Sequence, residues 1–138
     1  MSTSTEPQTT PNAPTNAKRI LVADDEPYIR ELYEEVLKTE GYQVDTASDG
    51  QEAFEKIIAG GYNAITLDVI MPKLDGLGIL SQLKVTPPKQ KNGPIILLTS
   101  LANDPAVKEA MQNGASKVVI KTDITPKQFT DLIKQVAT

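Results

Sequence analysis

From Lys18 onward the chain alternates two kinds of hydrophobic pattern. Short apolar runs, RILVA (19–23), YNAITLD (62–68), IILLTS (95–100) and KVVIK (117–121), have the length and composition of strands buried on both faces. YQVDTA (42–47) instead alternates apolar and polar positions, the pattern of a half-buried strand, and is expected at a sheet edge. Between the runs, apolar residues recur every three or four positions, as on one face of a helix. Residues 27–41 carry Ile29, Leu32, Tyr33, Val36 and Leu37, with Pro27 suited to the first turn and Gly41 to the stop. Residues 49–61 carry Ala53, Phe54, Ile57 and Ile58 on one face, and 75–84 form a helix weakened by two glycines. Residues 86–94 are a loop by their prolines and glycine, and 104–114 form a helix that starts near Pro105 and stops at Gly114. The last helix, 125–137, opens with Thr125 and Gln128 at capping-box spacing and Pro126 at the first helical position. Its stripe is Phe129, Leu132, Ile133 and Val136.

Five strand–helix pairs in strict alternation predict an α/β domain: a five-stranded parallel sheet covered by helices on both faces, spanning 18–138. Residues 1–17, rich in Ser, Thr, Pro and Asn, cannot bury enough surface to offset their ordering entropy and are expected to be a disordered tail.

Composition narrows the chemistry. The chain of 138 residues contains no cysteine and no histidine, which removes thiolate sites, the commonest metal ligand and the commonest general base. Its net charge of −4 provides no basic footprint, so neither nucleic acid nor a membrane surface is an expected partner. No apolar run reaches the length of a membrane span, and the N-terminus has no signal pattern; a soluble cytoplasmic protein is the expectation.

In open α/β sheets the site lies beyond the carboxyl ends of the strands. Asp24, Asp25 and Glu26 follow the first strand, Asp68 ends the third, Thr99 and Ser100 the fourth, and Lys121 the fifth. Each has an ordinary alternative: Asp24 or Asp25 as a helix cap, Asp68 in a turn, Thr99 as a packed strand residue, Lys121 snorkelling to solvent. Together at one sheet end, the carboxylates repel one another unless a divalent cation joins them. An all-oxygen ligand set points to a hard ion, Mg²⁺. Between that metal and the Lys121 ammonium, a carboxylate such as Asp68 can attack phosphorus and become an acyl phosphate, with Thr99 donating to the phosphoryl oxygens.

The segments ILVADDEPYIRELYEEVL, ITLDVIMPKLDGLGIL, IILLTS and VVIKTDITPKQF resemble the response-regulator receiver domain of two-component signalling, of the CheY-like type. The resemblance covers residues 18–138. It implies the flavodoxin-like, doubly wound sheet with strand order 2-1-3-4-5. It makes Asp68 the phosphoacceptor, Asp24 and Asp25 the acidic pair that organises Mg²⁺, and the backbone carbonyl of Ile70 the remaining protein ligand. Thr99 matches the switch hydroxyl and Lys121 the phosphate-binding lysine. The implied donor is a histidine kinase or a phosphotransfer protein and the implied output a downstream protein target. The expected state is a monomer or weak dimer, and the protein is a signalling phosphoacceptor that catalyses only its own phosphorylation and dephosphorylation. With nothing after Thr138, a stand-alone receiver is expected.

Two positions depart from the family pattern. Val118 stands where relatives carry an aromatic residue three before the lysine, so the coupled hydroxyl–aromatic switch cannot operate in its usual form. Thr122 stands where relatives carry a cis proline, and a non-proline cis bond costs about 2.5–4 kcal/mol. A trans bond is therefore expected, with a differently shaped loop held by Asp123 or Thr125. Ile70 and Leu101 are expected to border the phosphoryl group; both are apolar and cannot orient an attacking water, which implies slow self-hydrolysis. Three rival readings make different demands on these positions. A flavodoxin-like carrier needs a phosphate cradle where this chain has Asp-Asp-Glu. A dehalogenase-type phosphatase needs a second Asp where Ile70 stands. A receiver-fold interaction module working without phosphorylation is the alternative reading.

Overall fold

The computed structural model describes residues 17–100 and 105–138; the expected tail, apart from its last residue, and Leu101 lie outside the described residues. The elements are β1 (Arg19–Ala23), α1 (Pro27–Thr39), β2 (Gln43–Ala47), α2 (Gly50–Ala59), β3 (Ala64–Asp68), α3 (Gly76–Val85), β4 (Ile95–Thr99), α4 (Pro105–Gln112), β5 (Lys117–Ile120) and α5 (Pro126–Val136). All strand pairs are parallel and the order is β2-β1-β3-β4-β5, as expected, with the polar strand β2 at one edge.

The period-2 geometry of a strand sends neighbouring side chains to opposite faces, and the core accordingly divides in two. Leu21, Ile65, Leu67 and Leu97 pack with Ala53 and Ile57 of α2, Ile79 and Leu80 of α3, and Ala110 of α4. Ile20, Val22, Ile96 and Leu98 pack with Tyr33 and Leu37 of α1 and Phe129, Leu132 and Ile133 of α5.

Local capping fixes where the helices begin. The Asp49 side chain accepts from Glu52 N–H at 2.8 Å, and that of Asp75 from Gly78 N–H at 2.7 Å. Thr125 and Gln128 form the expected reciprocal box: Gln128 N–H donates to Thr125 Oγ1 at 3.1 Å, and Thr125 N–H to Gln128 Oε1 at 2.9 Å.

β5 is the second edge, as the order 2-1-3-4-5 requires, although its apolar pattern taken alone reads as a central strand; Lys117 is exposed and Val118, Val119 and Ile120 are half buried. Burial on both sides is thus not required for an apolar strand when α4 and α5 cover its faces. The strand also stops at Ile120: Lys121 opens a 3-10 turn over Lys121–Asp123. The described residues contain no cis peptide bond, so the Lys121–Thr122 bond is trans as expected, and this turn takes the place of the proline-shaped loop. Thr125, not Asp123, caps the helix that follows.

Candidate functional site

Asp24, Asp25 and Glu26 form the β1–α1 connection, and Asp24 shapes it. Its Oδ1 accepts from Glu26 N–H at 2.9 Å, bracing the turn, while Arg30 donates to the Asp24 carbonyl oxygen at 2.7 Å. Neither aspartate caps α1; Glu26 occupies the N-cap position and its side chain makes no cap bond. The ordinary reading of Asp24 and Asp25 as caps therefore falls.

The loop between β3 and α3 is clamped from several sides. Met71 is buried in the core, Gly50 N–H donates to the Pro72 carbonyl at 3.1 Å, and Gly76 N–H to the Val69 carbonyl at 2.9 Å. A Cβ on Gly50 would lie 1.5 Å from the Leu74 carbonyl oxygen, so that close approach requires glycine, and one on Gly76 would lie a tight 3.0 Å from the carbonyl oxygen of Asp68. The chain then folds back over the Asp68 carboxylate, where Ile70 N–H donates to Asp68 Oδ1 at 3.3 Å while the Ile70 side chain stays exposed.

These constraints bring Asp24, Asp25 and Asp68 together, with one carboxylate oxygen from each within 4.8 Å of the others. Asp24 and Asp68 are buried, and Asp25 is the more accessible. Lys121 meets three carboxylates at once: Glu26 Oε1 at 2.7 Å, Asp24 Oδ2 at 2.9 Å and Asp68 Oδ2 at 3.0 Å. Glu26 and Asp68 accept hydrogen bonds from Nζ. Asp24 Oδ2 is held by charge alone, without hydrogen-bond alignment. Thr99 is buried at the end of β4, paired in register with Ile120, the residue before Lys121. β2 is followed by Ser48, whose N–H and hydroxyl donate to Glu52 of α2 and which takes no part.

Three carboxylates thus share one ammonium. Burial raises the pKa of Asp68 above the ordinary carboxylate value; Lys121 opposes this by hydrogen bond and charge, and Asp24 adds to it. Burial also works against charge on Lys121, but its contacts with the carboxylates of Glu26, Asp24 and Asp68 outweigh it and its pKa is raised. The ammonium stays charged. The donor set suits a hard divalent cation: three carboxylates converge within bridging distance, all ligands are oxygens, and Asp24 presents a buried oxygen that no hydrogen-bond donor satisfies. Mg²⁺ fits this set.

Sequence reasoning found every residue of this cluster, but gave Lys121 only Asp68 as a partner. The bonds to Glu26 and Asp24 were missed. The signal was the position of Glu26, directly after the acidic pair on the same strand end. Tyr33 was also missed as a neighbour: burial raises its pKa, and Lys121, Asp24, Asp68 and Glu26 all act on it electrostatically.

Residues 20–134 match the family model of the response regulator receiver domain. The chain belongs to that family. Among curated proteins, it is 40 % identical over 119 residues to a probable transcriptional regulator, ycf27, of Cyanophora paradoxa, covering 86 % of this chain and 48 % of that protein. It is 33 % identical to the transcriptional regulatory protein SrrA of Staphylococcus aureus, covering 86 % and 47 %. The chain therefore spans about half the length of the curated relatives it matches. Among solved structures, TrrA of Thermotoga maritima, in complex with Mg²⁺ and BeF, is 36 % identical at a TM-score of 0.70, covering 86 % and 97 %. A CheY-like receiver domain from Methanospirillum hungatei is 26 % identical at a TM-score of 0.76, covering 87 % and 93 %. The receiver fold, with strand order 2-1-3-4-5, is shown at both levels. Relatives described as transcriptional regulators lend no support to the expectation that the signalling route avoids nucleic acid. No helix among the described residues is long and apolar enough to cross a membrane.

Proposed function

We propose that this receiver accepts a phosphoryl group on Asp68 from a histidine kinase or a phosphotransfer protein, in the cytoplasm, and that the loaded state switches its binding to a downstream protein target. The observation that supports this most is the Lys121–Asp68 ion pair set in a cluster of three aspartates, two of them buried. In this reading an Asp68 oxygen attacks phosphorus in line, the donor's P–N bond breaks, and the imidazole nitrogen keeps the bonding pair. Lys121 holds the carboxylate before the transfer and the phosphoryl oxygens afterwards. Thr99 donates its hydroxyl proton to one of those oxygens. Asp24, Asp25, Asp68 and the Ile70 carbonyl would hold Mg²⁺, which would supply neutralisation of the phosphoryl charge. The protein is a signalling phosphoacceptor and catalyses only its own loading and unloading.

Self-hydrolysis is slow in this reading, because the exposed, apolar Ile70 side chain beside the acceptor cannot orient water. The test is an NMR titration of the full chain with Mg²⁺ and beryllofluoride. Saturable shifts that include Asp68, Thr99 and Lys121, absent in Asp68→Asn, are expected. No shifts there would favour an interaction module that works without phosphorylation.

A further inference from the structure

Of the three carboxylates on Lys121, Glu26 stands apart. It is the nearest, at 2.7 Å, and its side chain is 59 % exposed while those of Asp24 and Asp68 are 1 % and 9 %. It occupies the N-cap position of α1 yet leaves the helix N–H groups unserved, reaching instead to a residue 95 positions away. It lies outside the three-aspartate cluster. Its bond to Lys121 ties the start of α1 to the β5–α5 junction.

Lys121 faces three carboxylates and donates hydrogen bonds to two of them, Glu26 and Asp68. A phosphoryl group on Asp68 offers the same cation strong, more highly charged acceptor oxygens, which compete with Glu26 for it. Asp24 and Asp68 are fixed in buried strand ends. Glu26 sits at the rim, where water can take over its carboxylate at little cost.

We propose that Glu26 is a positioning residue that clamps Lys121 in the unloaded protein and competes with the phosphoryl group for it, setting how readily Asp68 is loaded. This rests on the reading of Asp68 as acceptor. Loading releases the clamp and unties α1 from the β5–α5 junction, a route out of the site that needs no aromatic ring at position 118.

Two readouts on the full chain test this. The first is beryllofluoride affinity with saturating Mg²⁺, in wild type, Glu26→Gln, Glu26→Asp and Glu31→Gln. Glu31 is exposed on the same helix and controls for general charge. Glu26→Gln is expected to bind about two- to fivefold more tightly, the range for one largely exposed ion pair. Glu26→Asp, too short to reach, should resemble Glu26→Gln, and Glu31→Gln should match wild type. Unchanged or weaker binding in Glu26→Gln, or an equal gain in Glu31→Gln, overturns the proposal. The second readout needs neither metal nor mimic: the Lys121 side-chain ammonium resonance in chelator-treated protein. It should be protected from solvent exchange in wild type and exchange faster in Glu26→Gln; equal exchange overturns the clamp. If wild type fails to take up beryllofluoride, the acceptor reading falls, and the ammonium measurement alone decides whether Glu26 holds Lys121.

Discussion

Tyr33 of α1 and Phe129 of α5 stack face to face, ring centroids 3.9 Å apart and planes 6° from parallel. Both are buried, and they join two helices that approach the sheet from the same face. Side chains on a helix lean toward its N-terminus, and both helices begin at the end of the sheet that carries Lys121. The stack therefore lies behind the charged site and ties the α1–α5 layer together. Phe129→Ala should lower unfolding free energy by about 3–5 kcal/mol, as expected for a large core truncation. Urea denaturation measures it, with exposed Lys127→Ala as a control that should stay within about 0.5 kcal/mol of wild type.

Thr66 lies in the centre of β3, fully buried, and its hydroxyl has no hydrogen-bond partner. An unsatisfied buried hydroxyl costs about 1–3 kcal/mol. Thr66→Val keeps the branched shape and removes that cost, so stability should rise by about 1 kcal/mol in chemical denaturation. A fall of that size would show the hydroxyl bound to a buried water.

The strand–helix order, the β2 edge and the Thr125 capping box were legible because each depends on local spacing. The acidic cluster was legible because parallel topology forces all strand ends to one side. The partners of Lys121 beyond Asp68 were not, because Glu26 meets it through a side-chain direction across 95 residues that no periodicity encodes. The edge position of β5 followed from the strand order that the resemblance implies and not from its own apolar pattern, because helices on both faces bury an edge strand enough to require apolar residues. Thr66 looked like any β-branched strand residue, and only packing shows that its hydroxyl is unserved.

The raised pKa of Asp68 makes stability depend on pH. Burial favours the protonated carboxyl in the folded state, so the native chain binds more protons than the unfolded one between the ordinary carboxylate pKa and the raised value. Stability from this group therefore falls as pH rises through that window and is constant above it. Asp68→Asn removes the dependence while leaving Lys121 with Asp24 and Glu26. In chelator-treated protein the variant should be more stable than wild type at neutral pH, the difference closing below about pH 4. A variant less stable than wild type at neutral pH contradicts this assignment.

The lifetime of the loaded state tests the role of Ile70. Ile70→Asn places a polar group that can orient water next to the acceptor. Its phosphorylated form should decay several-fold faster than wild type, followed by loss of the phosphoryl group over time after removal of the donor. An unchanged rate would show that the Ile70 side chain does not govern water access.

The central claim is that Asp68 carries the phosphoryl group, and the most direct measurement is the intact mass after incubation with acetyl phosphate and Mg²⁺. The expected result is an acid-stable, base-labile gain of about 80 Da, the mass of one phosphoryl group, mapped to Asp68 and absent from Asp68→Asn. No gain in wild type from acetyl phosphate or any kinase tried, or a gain that persists in Asp68→Asn, would contradict it.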